Sequence, residues 1–181
     1  MSLPLTSGTW TLDKAHSTVG FGVRHLGIST LSGRFTEADA SLDVGDDLAS
    51  SSLTASIEMS SIDTSNEDRD AHLKGTDIFD VDSKPKLTFA STAIEAAGEG
   101  YRVAGDLSLG GKTTGLTLDV TFFGTETFPF DGSNHAGFQA TGAVDKTALG
   151  IDFNVPLTSG GFMLSDQVDI VLNVQLIGPA D

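Results

Sequence analysis

The sequence predicts an all-β fold, an antiparallel sandwich or barrel with one short helix. Three observations lead there. Apolar residues alternate with a period of two along most of the chain, glycine-containing turns punctuate the alternating segments, and a single stretch carries helix start and stop signals.

The alternation is visible segment by segment. Val19, Phe21 and Val23 share one face, with Thr18, Gly20, Gly22 and Arg24 on the other. Leu53, Ala55, Ile57 and Met59 alternate with Thr54, Ser56 and Glu58. Tyr101, Val103, Leu107 and Leu109 share a parity, as do Leu116, Leu118, Val120 and Phe122, and the series Val168, Ile170, Leu172, Val174, Leu176 runs near the end. Successive strand side chains point to opposite faces, so each segment reads as a half-buried strand. Turn signals separate them at Gly45-Asp46-Asp47, Gly98-Glu99-Gly100, Gly110-Gly111, Asp131-Gly132 and Ser159-Gly160-Gly161. One stretch, about 66–74, reads as the helix. Ser65 is its expected N-cap, Glu67 and Asp68 suit the positive end of the dipole, and Gly75 suits a left-handed C-terminal position. Arg69, His72 and Leu73 share a helix face, and Asp70 and Lys74 are spaced to pair. One short helix cannot supply βαβ crossovers. With no repeat, linker or low-complexity tract, the chain reads as one domain over about 8–178.

Composition narrows the function. The 181 residues hold 10 Lys+Arg against 25 Asp+Glu, a net charge of −15, too few cations for a nucleic-acid binder. An anionic membrane surface repels such a chain. Thirteen acids and two bases, Arg69 and Lys74, lie between Glu37 and Asp82, so that region alone carries −11. Apolar residues make up 39% and mean hydropathy is +0.03, enough for a core, and no apolar run reaches the roughly 18 residues of a spanning helix, so no stable membrane anchor is expected. Cysteine is absent, which excludes disulfides and a thiol nucleophile. The opening residues have no basic and apolar leader pattern, and the cytoplasm is the expected compartment.

Sharper chemical readings meet blander competitors. Gly111-Lys112-Thr113 has the tail of a phosphate loop, but Asp106 stands where its first glycine belongs and a strand follows, so a hairpin turn is preferred. Gly20-Phe21-Gly22 has His25 in place of the third glycine of a dinucleotide fingerprint. His16-Ser17 invites a hydrolase reading, yet adjacent strand side chains point apart and no nucleophile elbow occurs. His16, His25, His72 and His135 show no zinc spacing, and Asp43-Val44-Gly45-Asp46-Asp47 fails the calcium-loop template, so no metal or other cofactor is expected. Arg69, Asp70 and His72 are the densest ionisable cluster. They read first as a structural network pinning the helix across a barrel end, and second as polar groups at a ligand site or as acid–base machinery. No catalytic residue is assigned.

Several short motifs in fixed order then resemble one family. Trp10, Asp13-Lys14-Ala15-His16-Ser17, Phe21-x-Val23-x-His25-Leu26-Gly27 and Gly33-x-Phe35 are similar to the opening of the YceI-like, polyisoprenoid-binding family. Arg69-Asp70-x-His72-Leu73, Phe79-Asp80-Val81, Pro85 and Phe89-x-Ser91 resemble its central block. Gly105-x-Leu107-x-Leu109-x-Gly111-x-Thr113 resembles its strand-and-turn signature, and Asp145-Lys146, Gly150 and Val168-x-Ile170 its C-terminal part. Lys146 departs from the arginine common there, exchanging a planar fork for a point charge.

The resemblance implies a lipocalin-like, extended antiparallel barrel of about eight strands, often a homodimer, holding a long isoprenoid or similar fatty-acid-like lipid. A barrel of that size holds side chains or one small ligand. Buried hydrocarbon contributes about 0.8 kcal/mol per CH₂, less ordering costs. The apolar parity sets supply the candidate lumen lining: Phe21, Val23, Phe35, Ile57, Phe89, Leu107, Leu118, Phe122 and Ile170. His25 shares the parity of Phe21 and Val23 and is the candidate inward polar group, with a satisfied core histidine as its alternative. Competing with lipid carriage are an enzyme acting on such a lipid and a stress-related barrel filled by its own side chains.

Overall fold

The computed structural model describes residues 2–179. Its strands are β1 (Gly8–Leu12), β2 (Thr18–His25), β3 (Ser29–Phe35), β4 (Ala38–Val44), β5 (Ser52–Glu58), β6 (Ile62–Asp63), β7 (Lys86–Ala97), β8 (Gly100–Leu109), β9 (Lys112–Thr127), β10 (Asn134–Asp145) and β11 (Leu164–Ile177), with helix α1 (Glu67–Lys74) between β6 and β7. All pairings between these strands are antiparallel.

Eleven strands reduce to eight staves. β1 and β2 form one bent stave, β3 and β4 the next, β5 and β6 the third: β2 pairs with β3 and β1 with β4, while β6 pairs with β3 and β5 with β4. The bends have local causes. Asp13 accepts the Ala15 N–H and starts the 3₁₀ turn Lys14–His16, and Met59–Ser61 makes a second such turn whose Ser61 carbonyl accepts the Thr36 N–H. β5 then pairs with β7, and β7 to β11 follow as simple neighbours. β11 returns to the first stave, pairing with β2 along its start and with β1 at its end, Leu12 facing Leu176. That pairing closes an eight-stranded up-and-down barrel, and closure removes the sheet edges.

Chain direction sorts the connections to two ends. One end carries the β2–β3 turn, α1 with its flanking segments, the Gly110-Gly111 hairpin and the long connection 146–163; it is called the helix end. The opposite end carries residues 3–7, the loop 45–51, the β7–β8 turn and residues 128–133.

The opposite end is closed around a buried tryptophan. Trp10 is 1% exposed and donates its indole N–H to the Thr6 carbonyl at 2.9 Å. Leu3, Leu42, Val44, Leu48, Ala136 and Leu176 belong to the same buried cluster. Two glycines allow aromatic rings to lie across the sheet. A Cβ on Gly33 would meet the Phe21 ring at 2.4 Å, and one on Gly105 would meet the Phe89 ring at 2.5 Å. Both rings belong to candidate lining residues, so these motif glycines set how the aromatics lie.

Helix α1 forms where expected, with its ends built differently. Asn66, not Ser65, is the N-cap, its side chain accepting the Arg69 N–H at 2.9 Å. Ser65 sits at φ +59 and donates its N–H to Asp63. Gly75 is extended (φ −64, ψ 166), because its carbonyl must accept the N–H groups of Ile78 and Asp80 as the chain doubles back; the positive φ falls on Asp80 instead. The expected Asp70–Lys74 pair does not form, since both Asp70 oxygens serve Thr64.

Candidate functional site

The barrel interior is hollow, its wall running from Leu3 and Leu176 at the floor to His72 and Lys146 at the helix end. A cavity of about 560 Å³ is lined by inward residues of every stave. That volume lies within the roughly 300–1,000 Å³ of ordinary ligand pockets. The interior is therefore not filled by its own side chains, and the plugged-barrel alternative fails.

Nine of the ten candidate lumen residues line this cavity: Phe21, Val23, His25, Phe35, Ile57, Phe89, Leu107, Leu118 and Ile170. Phe122 does not. Val120 is the last β9 residue on the cavity wall, and Phe122, one inward step further along, packs its ring on Phe138 with centroids 5.2 Å apart. Phe138, its cross-strand partner at the same level, reaches the wall in its place. Other wall residues come from turns and connections, among them Phe79, Phe153 and Met163. Those segments have no period-two signal that marks them as interior.

Four of the wall's five histidine, lysine, arginine or acidic residues stand at the helix end; the fifth, Asp39 of β4, pairs with Lys14 away from it. Arg69 and His72 of α1 line the cavity with Lys146 and His25; Asp70 does not. Arg69 donates Nε to Thr64 Oγ1 at 2.8 Å and Nη2 to the Thr64 carbonyl at 2.7 Å. Asp70 accepts the Thr64 backbone N–H at 3.0 Å and its hydroxyl. Thr64 is thus the hub, and no direct Arg69–Asp70 pair is needed to pin the helix to β6. The three-residue cluster splits into a fastening carboxylate, a fastened guanidinium on the wall, and a rim imidazole. His72 Nε2 meets Asp77 Oδ2 at 2.9 Å, its side chain is 54% exposed, and its ring stands edge-on to Phe153 at 5.4 Å. The hydrogen bond from His72 holds the Asp77 carboxyl below its ordinary range.

Lys146 is a buried ammonium on the same rim, its side chain 7% exposed. It donates to the carbonyls of Ile151 at 3.1 Å and Phe153 at 3.3 Å and lies 3.3 Å from Asp166. A buried charge needs such partners. Here they tie the connection after β10 into the cavity wall. Asp145 starts that turn, and the Thr147 hydroxyl and N–H hold its carboxyl low. Partly exposed wall residues at this end, His72 above all, place the mouth beside α1, whereas Leu42 and Leu176 are buried at the opposite floor.

A second polar cluster, not recognised in the sequence, lies at the opposite end. His135 is 6% exposed, with Nδ1 2.7 Å from Gln175 Nε2 and Nε2 2.9 Å from Ser133 Oγ. Asp13 Oδ2 lies 3.5 Å from His135 Nδ1 and 2.8 Å from His16 Nδ1. An Asp13–His135–Ser133 chain has the composition of a nucleophilic triad, but its protons run the wrong way. Gln175 donates to Nδ1, so Nε2 donates to Ser133, whose own proton goes to Asp131 at 2.6 Å. Burial raises the Asp13 pKa, but the His16 hydrogen bond and charge and the N–H groups of Ala15 and His16 outweigh it, leaving it lowered. Ser17 exchanges hydrogen bonds with the Gln175 backbone and does not address His16. The four histidines divide between the two ends and do not converge: His25 and His72 at one, His16 and His135 at the other.

Comparisons with known proteins agree with this geometry. A UPF0312 protein of Staphylococcus epidermidis is 40% identical over 161 residues, covering 88% of this chain and 91% of that one. The Campylobacter jejuni YCEI protein superposes with a TM-score of 0.72 at 29% identity, over 93% of this chain and 97% of that one. A polyisoprenoid binding domain from Saccharophagus degradans, implicated in plant cell wall breakdown, shares the fold with a TM-score of 0.63 at 13% identity, over 94% and 98% of the two chains. The signature of the YceI-like domain matches residues 10–176, which spans the barrel from Trp10 on the floor to the closing strand, and on that match the chain belongs to the YceI-like family.

Proposed function

We propose that this barrel binds and carries a long-chain isoprenoid or similar amphiphilic lipid without transforming it, the tail in the cavity and the head group at the α1 rim. The observation that carries the reading is the roughly 560 Å³ cavity, walled by apolar side chains and opening beside Arg69, His72 and Lys146. Removing apolar surface from water drives the tail inward, while polar groups at one end fix its direction. The isoprenoid class is supported by the family resemblance and by the polyisoprenoid-binding description of the Saccharophagus degradans domain. Carriage as a homodimer rests on the same resemblance.

Native mass spectrometry of the purified protein, with solvent extraction of its contents, tests the reading. A bound apolar molecule is expected, or uptake of an added prenyl lipid. Ala140, buried on the cavity wall, offers a blocking variant. Ala140→Phe places a ring in the cavity and is expected to weaken uptake by at least about tenfold, the equivalent of roughly two buried CH₂ groups. No ligand recovered and none taken up by the wild-type protein would end the carrier reading.

A further inference from the structure

Resting on the cavity reading, we propose that two hairpin tips at the mouth form a docking surface for the face of an uncharged lipid bilayer, where cargo enters and leaves. The first tip is the β2–β3 turn, with Leu26 41% and Ile28 81% exposed. The second is a small hairpin within the 146–163 connection, bridged at Pro156 and Phe162, with Val155 42% and Phe162 59% exposed. Backbone hydrogen bonds lock the two together: Leu26 N–H to the Met163 carbonyl at 2.7 Å, and Met163 N–H to the Val155 carbonyl at 2.8 Å. Met163 and His25, which adjoin the tips, line the cavity, so the platform is continuous with its rim. Leu26 holds φ +54, a conformation that glycine or asparagine adopts at lower cost, yet the position presents a leucine.

Charge selects the occupant. In a chain of net charge −15, residues 25–33 and 153–163 contain no Asp, Glu, Lys or Arg. Arg24 stands behind the first tip with its guanidinium on the Gly27 carbonyl, and Asp166 behind the second is matched by Lys146. A protein partner of a soluble acidic protein is ordinarily recognised by charge at its rim; these tips offer none. A second copy needs roughly 1,200–2,000 Å² of matched surface, more than four tip side chains provide. A bilayer interface asks only for apolar side chains at the leading edge and no unpaired charge behind them, and it is the source of any amphiphile the cavity holds.

Co-sedimentation with phosphatidylcholine vesicles tests this, using wild type, the double variant Ile28→Ser/Phe162→Ser, and Phe130→Ser. Phe130 is 89% exposed at the opposite end and serves as the control. Wild type and Phe130→Ser are expected to partition alike, and the double variant about tenfold or more below them. Adding phosphatidylserine is expected to weaken wild-type partitioning. Farnesol binding, followed by native mass spectrometry, is expected to be equal in all three proteins, which shows the double variant folded and its cavity intact. Equal partitioning of wild type and double variant overturns the proposal, as does an equal loss in Phe130→Ser. A dimer in light scattering that only the double variant breaks, without vesicle binding, overturns it in favour of a second copy. Vesicle binding without farnesol uptake by any of the proteins sustains the docking surface and counts against the carrier reading; farnesol uptake without vesicle binding does the reverse.

Discussion

The two ends of the barrel handle polar groups in opposite ways. At the floor, buried Asp13 and His135 are consumed by one another and by Ser133 and Gln175. At the helix end, Arg69, His72 and Lys146 are also partnered, but they stand on the cavity wall with apolar surface beneath them. A closed end needs hydrogen-bond satisfaction because its groups have left water. An open end needs fixed side chains that still face a ligand. The difference teaches that a dense ionisable cluster is not by itself a site; what matters is whether it borders empty space.

The comparison breaks most visibly at Trp10. Trp10→Ala removes the largest buried side chain of the floor and is expected to cost about 3–5 kcal/mol, read as a lower denaturant midpoint. If the floor is only a plug, farnesol uptake by the remaining folded protein stays near the wild-type level. A loss of stability under about 1 kcal/mol would show that the floor is not the anchor of the fold.

Asp70→Ala comes next. It strands the Thr64 backbone N–H and frees the guanidinium partner, and about 1.5–3 kcal/mol of destabilisation is expected from a lost carboxylate hydrogen bond. Asp70 does not line the cavity, so affinity per folded molecule should hold. An affinity loss with no change in unfolding midpoint would reassign Asp70 to the ligand site.

Much of this was legible beforehand, for a physical reason. Period-two alternation reports a sheet with one apolar face, so the strand segments and the inward parity of Phe21, Ile57, Leu118 and Ile170 follow from local sequence. Closure by Leu12 against Leu176 joins residues more than 160 apart, and no local pattern encodes it; the family resemblance supplied it. Phe122 shows the same limit, because parity fixes which face a side chain takes but not which of two facing rings, Phe122 or Phe138, reaches the cavity. The cap at Asn66 was missed because Ser65 and Asn66 are both good caps, and the Asp63–Ser65 hydrogen bond decided between them. The floor cluster was hidden because Asp13, His135 and Gln175 come from three distant segments.

Acid sharpens the contrast between the ends more gently. Asp13 at the floor and Asp77 and Asp145 at the helix end all have lowered pKa values in the folded protein. A carboxyl whose folded pKa lies below its unfolded value of about 3.9 adds stability above that pH, and the contribution disappears as the pH falls through the folded value. The unfolding midpoint is therefore expected to be insensitive to these groups near neutrality and to drop below about pH 4. Asp13→Asn should flatten that drop more than Asp77→Asn, because Asp13 is buried and the Asp77 pair is screened by solvent. Equal flattening by the two would mean that burial does not separate the ends.

The smallest effect is expected at His72, and it discriminates most finely between a fastening and a rim. Its imidazole and the Asp77 carboxylate are each more than half exposed, and exposed pairs of this kind contribute about 0–1 kcal/mol. His72→Ala should therefore move the unfolding midpoint by no more than about 0.5 kcal/mol. Its ring nevertheless stands at the mouth against Phe153, which itself lines the cavity and whose carbonyl holds Lys146. Loss of the ring is expected to weaken binding of a prenyl lipid bearing a polar head group a few-fold while leaving a head-less hydrocarbon unaffected, both followed by native mass spectrometry. Equal weakening of the two ligands would place His72 with the tail, and a large stability loss would place it with Asp70 and Thr64 in the fastening.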